Sequence, residues 1–172
     1  MFELEQCDLK SNIRLKPSAL GDFDDYYAIR CGESDIYWMG FDGPPERMVM
    51  EKVFKERLGN NRFAQPGDKR IYMIQVDERN VGFIQFSLSN EGLEFGYSVL
   101  DQERGKGYGS AGIKQAVDIA KLCCDHCFAQ IRDDNIASQK AMGRAGFKRT
   151  DSFIVKDFPH AKNVKYRKYI LE

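Results

Sequence analysis

Three runs of strand-forming residues, 71–76, 81–88 and 93–100, follow one another with only the polar links DERN and SNEG between them. Links this short cannot hold the crossover that parallel strands need, so the runs must pair as an antiparallel meander. The third run alternates, with Leu93, Phe95, Tyr97 and Val99 on one face and Glu94, Gly96 and Ser98 on the other. A sheet fed by hairpins at its centre is hard to reconcile with a doubly wound parallel fold.

The rest of the chain arranges itself around this meander. Residues 13–15 read as a short strand, and Pro17 as the first-turn residue of a helix that runs through DFDDYYAIR. GFDGPPER reads as a loop whose two prolines lead into a second helix at 46–58, and LGNNRFAQPGDKR as a polar connection. Beyond the meander, Ile113, Ala116, Val117, Ala120 and Cys123 recur at helical spacing. CFAQIR then reads as a strand, NIASQKAMGRAGF as a helix closed by Gly146, and residues 147–155 and 164–171 as two final strands. The order β-α-α-β-β-β-α-β-α-β-β describes an α+β protein with one mixed sheet.

Composition narrows the function. A chain of 172 residues is expected to form one domain over 1–172, and 42% hydrophobic with 30% charged residues is ordinary for a globular protein. Twenty-six basic residues balance 26 acidic ones, which argues against a nucleic-acid or anionic-membrane partner. The opening MFELEQCDLK has acidic residues where a secretion signal has cations, and no stretch approaches the roughly 20 apolar residues of a membrane span, so a cytoplasmic protein is expected. The five cysteines are odd in number, and three of them cluster with His126 in CCDHC. Adjacent cysteines fit a zinc knuckle poorly and no second ligand pair exists, so small buried thiols and no metal are expected.

The segment RGKGYG, Arg104 to Gly109, then demands an explanation, because glycine at that density is costly in a regular element. A glycine-rich turn that opens a helix presents free N–H groups and a positive dipole end, which together suit phosphate. The P-loop pattern fails, since Leu100 stands where its first glycine would be and Gly107 where its hydroxyl would be. A dinucleotide fingerprint matches at Gly107, Gly109 and Gly112, with Asp133 downstream, but four polar residues separate the strand from the first glycine. The third pattern, R-x-x-G-x-G/A, is met by Arg104, Gly107 and Gly109.

With that pattern, FGYSVLDQERGKGYGSAGIKQAV resembles the central motif of the GNAT acetyltransferase superfamily, and DDNIASQKAMGRAGFKR resembles its second motif. The opening IRLKPSALGDFDDYYAI is similar to the start of the branch that includes ribosomal-protein N-terminal acetyltransferases and some nucleotide-sugar and antibiotic acetyltransferases, so the resemblance runs from about Ile13 to Leu171. It implies a mixed, mostly antiparallel sheet flanked by helices on both faces, with acetyl-CoA as co-substrate. Its pyrophosphate would lie against Arg104, Gly105, Lys106, Gly107, Tyr108 and Gly109, with a solvated surface role equally open to Lys106. The resemblance further implies that the fourth strand splays from the fifth, leaving backbone near Ser98 and Val99 to pair with the pantetheine arm. Asn135 matches the second motif's asparagine, which contacts that arm; as a plain helix residue it would be an N-cap.

Acetyl transfer to an amine needs a proton acceptor, a stabilised oxyanion and a protonated leaving thiolate. Glu94, on the polar face of the third strand, is the candidate base, and the N–H near Val99 the implied oxyanion donor. Ser138 matches a serine that some members place near the sulfur, whereas Met142 stands where many relatives have a tyrosine acid. The acceptor is expected to meet the first two helices and the loop CGESDIYWMGFDGPPER, where Asp35, Tyr37, Trp38 and Asp42 could receive an amine. Peptide N-terminus, amino sugar, amino acid and polyamine all stay open, as do O-acyl or longer-acyl transfer, a non-catalytic acyl-CoA-binding module, and a monomer or homodimer.

Overall fold

A computed structural model of the chain describes residues 12–58 and 63–172; residues 1–11, with Cys7, and part of the polar connection fall outside it. Seven strands form one sheet in the order β1-β2-β3-β4-β5-β7-β6. They are β1 (Ile13–Pro17), β2 (Lys69–Val76), β3 (Arg79–Ser89), β4 (Gly92–Val99), β5 (Cys127–Arg132), β6 (Phe147–Phe158) and β7 (Ala161–Leu171). Among the described residues the α-helices are α1 (Phe23–Arg30), α2 (Glu33–Met39), α3 (Arg47–Glu56), α4 (Tyr108–Lys121) and α5 (Ile136–Arg144). No described helix is long and apolar enough to cross a membrane.

The expected meander is β2-β3-β4, and its strands pair antiparallel throughout. The β2–β3 turn puts Asp77 and Glu78 at φ 46° and 67°, the two positive angles that a tight hairpin of this hand requires. The alternation of β4 sorts the two faces as expected. Leu93, Phe95 and Val99 join Ile84, Phe86 and the α4 residues Ile113, Ala116 and Ala120 in the larger core. On the opposite face Phe83, Ile71 and Met73 pack under Phe23, Tyr26 and Ile29 of α1 and Phe54 of α3. Edge-on aromatic contacts carry the larger core across the sheet, from Phe86 to Phe95 at 4.8 Å and from Phe95 to Phe147 at 5.0 Å.

Four local expectations are corrected. Pro17 ends β1 opposite Tyr72 instead of starting a helix. β1 is an edge strand, where a missing N–H is tolerated, and the helix waits until Phe23 because Asp22 accepts the Ala19 N–H at 2.8 Å and turns the chain first. The loop before the two prolines contains α2, seven residues bounded by Gly32 and by Gly40 in the left-handed region at φ 75°. β6 and β7 extend to Phe158 and from Ala161, so the hairpin is longer than its hydrophobic pattern suggests. Finally, α4 ends at Lys121, so its apolar stripe stops at Ala120; Cys123 is exposed, and of the CCDHC cluster only Cys127 is buried.

The feature that matters most for function is the one parallel pairing among the described strands. β4 meets β5 over only Leu93↔Cys127, Glu94↔Phe128 and Phe95↔Ala129, after which the two strands diverge. The C-terminal half of β4 therefore has a partner on one side only.

Candidate active site

The direction of the β4 backbone in that gap follows from two hydrogen bonds. Leu93 N–H donates to His126 O on the β5 side at 2.8 Å, while Leu100 N–H donates to Val81 O on the β3 side at 2.9 Å. Successive residues of a strand point their N–H groups to opposite sides, so the odd-numbered Tyr97 and Val99 face the gap. These are donors without a strand to receive them.

The chain next makes a short 3₁₀ turn, Asp101–Glu103, and enters the glycine segment. Gly105 and Gly107 take φ 79° and 84°, angles that a residue with a Cβ adopts only under strain, and open space surrounds both. Gly107 is the N-cap of α4 and no side chain caps the helix, so the N–H groups of Tyr108, Gly109 and Ser110 have no partner inside it. Gly109 answers a different need: a Cβ there would stand 2.9 Å from Tyr97 Cε2. Gly112, where a Cβ would meet Ile74 at 2.8 Å, likewise lets α4 press onto the sheet. Of the dinucleotide-like trio, Gly109 and Gly112 are thus explained by helix–sheet packing and Gly107 by its positive φ.

The gap and the helix start open into one cavity of about 310 Å³. β4 contributes Tyr97, Ser98 and Val99, and the turn contributes Arg104, Gly105, Gly107, Tyr108 and Gly109. α5 lines it with Ala137, Ser138, Ala141 and Arg144, successive positions on one helix face, and with Asn135 ahead of them. Asn135 is indeed the N-cap, its Oδ1 accepting the Ser138 N–H at 3.1 Å, and it borders the cavity as well. From the opposite side of the sheet α2 contributes Asp35, Trp38 and Met39.

Several expected residues fall elsewhere. Lys106 does not line the cavity; its ammonium lies 2.8 Å from the buried Glu103, which Arg79 also reaches at 3.3 Å. Tyr37 is half exposed and off the cavity wall; its ring lies 5.0 Å from the Arg132 guanidinium, which the cavity-lining Trp38 also meets at 5.1 Å, so both aromatics brace the end of β5. Asp42 faces outward to His160 at 3.0 Å. Glu94 is half-buried on β4 but outside the cavity, about 13 Å along the strand from Ser98 at some 3.3 Å per residue. Burial raises its carboxyl above the ordinary range, against the pull of Lys156 and Lys69. Met142 is buried in the core and turned away from the cavity wall.

Two groups that sequence reasoning passed over are present instead. Tyr97 brings a phenol into the cavity from β4; burial raises its pKa, and the Ser138 hydroxyl and Arg104 beside it oppose the rise. Its alternation with Val99 was the available signal, obscured because the same face also forms core. Arg144 lies two turns beyond Ala137 on the α5 face, and that spacing could have singled it out. Among the described residues no cluster of three or more His, Cys, Asp or Glu side chains could hold a metal ion. Burial pushes the Cys127 thiol up to about 11, which leaves it a packing residue.

These features coincide with a known family. Residues 12–148 match the family model described as the acetyltransferase (GNAT) domain. The chain belongs to the GNAT acetyltransferase family, and its class is that of an acetyl-CoA-dependent N-acetyltransferase. Among solved structures it is similar to a spermidine N-acetyltransferase from Vibrio cholerae in complex with CoA and spermine. That likeness has a TM-score of 0.76 at 13% identity over 92% of this chain and 94% of the other. A ribosomal L7/L12 α-N-protein acetyltransferase in complex with coenzyme A gives 0.74 at 14% identity, over 94% and 93%. A putative phosphinothricin N-acetyltransferase gives 0.73 at 19% identity, over 93% and 98%. A search of curated proteins found no match.

Proposed function

We propose that the turn from Arg104 to Gly109 and the first amides of α4 hold the pyrophosphate of acetyl-CoA. The gap beside Tyr97 and Val99 would then receive the pantetheine arm and the thioester. The observation that carries this reading is the convergence, in one cavity, of unpartnered strand N–H groups and an uncapped helix start. Bound there, acetyl-CoA supplies an activated acetyl group. The Val99 N–H would stabilise the carbonyl oxygen as charge develops on it, Asn135 and Ser98 would hold the arm, and Arg104 and Arg144 would add positive charge. Ser138, beside the Tyr97 phenol, would give its proton to the departing sulfur.

The acceptor is a primary amine that arrives past Trp38 and Asp35. The solved relatives act on spermidine, on ribosomal protein L7/L12 and, putatively, on phosphinothricin, all of which carry an amine. For this chain, a buried carboxylate beside an indole supports recognition of an ammonium group. The free thiols of Cys31, Cys123, Cys124 and Cys127 support a reducing, cytoplasmic setting. The whole chain would work as one domain around its single sheet.

The test is thiol release from acetyl-CoA across spermidine, an α-amino peptide and phosphinothricin, with amine acetylation confirmed by mass spectrometry. Ser138→Ala should lower turnover about 10- to 100-fold, the contribution of one proton-transfer group. Its affinity for acetyl-CoA should hold, because the pyrophosphate would be held by the turn and the first amides of α4 and not by the Ser138 hydroxyl. A neutral Ser138→Ala would assign the thiolate's proton to water or to Tyr97.

A further inference from the structure

We propose that Asp35, and not Glu94, accepts the proton that the amine must lose. The assignment rests on the N-acetyl-transfer reading of the same cavity. Asp35 sits in α2 with 6% of its surface exposed, on the wall of the cavity and next to Ser98, the residue before the Val99 amide that faces the gap. Glu94 lies four residues earlier on β4 and outside the cavity. Of the two carboxylates, only Asp35 stands at the place where an amine would meet the acetyl carbon.

Its partners are those of a poised group more than of a finished ion pair. Asp35 Oδ2 lies 2.9 Å from Arg30 Nη1, yet neither Oδ2 nor Arg30 Nε has a hydrogen-bond partner. A buried pair kept purely for structure would be expected to satisfy both groups. Arg30 itself is not on the cavity wall, so its positive charge acts on Asp35 from behind and favours the ionised carboxylate. The other groups facing Asp35 are Tyr26 from α1, Ser98 from β4, and Arg104 and Asp101 from the loop. Burial raises its carboxyl above the ordinary range, while Arg30 and then Ser98 and Arg104 oppose the rise, which suits a group that takes a proton from an ammonium.

The ammonium gives one proton to the Asp35 carboxylate, which passes it to solvent. The freed nitrogen pair forms the C–N bond while the C–S bond breaks and its electrons leave on sulfur. The second proton shed by nitrogen is matched by the one the sulfur gains, through Ser138 or water.

The experiment uses Asp35→Asn with whichever of spermidine, an α-amino peptide or phosphinothricin the wild-type protein acetylates fastest. kcat/KM should fall about 10- to 100-fold near neutral pH, and the deficit should shrink as the pH rises and the amine becomes neutral unaided. The thermal shift produced by acetyl-CoA should stay at its wild-type size. In the unliganded wild-type protein, a carbon-13 NMR titration should find the Asp35 carboxyl above the ordinary aspartate range. Should the lone Arg30 prevent folding, the double variant Arg30→Met/Asp35→Asn removes that charge and must show the same pH signature. Wild-type rates in Asp35→Asn, or a loss equal at every pH, would overturn the assignment while leaving N-acetyl transfer intact. A wild-type protein that binds acetyl-CoA but acetylates no amine would end both.

Discussion

Gly109→Val should abolish the thermal stabilisation by acetyl-CoA and reduce turnover by on the order of 100-fold or more. The valine Cβ would start 2.9 Å from Tyr97 Cε2 and 3.4 Å from Val99 Cγ2, and its two methyls would add to the crowding. Either the Tyr97 ring swings into the cavity or α4 lifts from β4, and both moves displace the uncapped amides relative to the gap. A misplacement of about 1 Å in a positioning element can cost roughly 10²-fold in rate. The fold should survive, because overpacking of one site typically costs about 1–3 kcal/mol. Gly143→Ala is the matched control. It changes a glycine in the neighbouring α5, where a Cβ meets nothing within 4 Å, and should leave the acetyl-CoA shift untouched. Differential scanning fluorimetry with and without acetyl-CoA reads both variants.

Arg30→Met should destabilise the protein by about 3–5 kcal/mol near neutral pH, because it leaves the buried Asp35 carboxylate without its cation. Methionine keeps a flexible apolar stem near the Phe41 ring, which lies 5.6 Å from the guanidinium, so lost packing contributes little. The pH dependence separates charge from packing. Burial already holds the folded-state Asp35 carboxyl above the ordinary aspartate range, and losing Arg30 raises it further. A carboxyl raised on folding favours the native state at low pH, and that advantage is lost as the pH climbs from the unfolded value through the folded one. The penalty in Arg30→Met should therefore be largest at about pH 8 and distinctly smaller at about pH 5, read from urea midpoints at the two values. A penalty equal at both would mean that Arg30 contributes shape and not charge.

The parts of this molecule that could be read from its sequence are those where one local rule decides. Short polar links between β2, β3 and β4 leave only an antiparallel meander, and the alternation in β4 assigns its faces. The glycine segment announces an exposed backbone because two of its glycines take φ 79° and 84°. The rest depends on packing that no local rule contains. α2 is only seven residues long between glycines, and the acidic Glu33 and Asp35 in its first turn were its one local signal. The β6–β7 hairpin is mostly exposed, so it lacks the half-buried alternation that marks a strand end. Lys106 looks like a phosphate ligand until Glu103 and Arg79 are seen beside it. Glu94 and Asp35 are equally acidic in sequence; the divergence of β4 from β5, and α2 lying across it, bring only Asp35 to the gap.

The most direct test of the account is product analysis with purified wild-type protein, acetyl-CoA and each amine in turn. Free CoA and N-acetylated amine should appear together, in equal amounts, with at least one acceptor, and Gly109→Val should yield neither. Acetyl-CoA binding without any acetylated amine, or CoA release that proceeds equally with and without an amine, would contradict it.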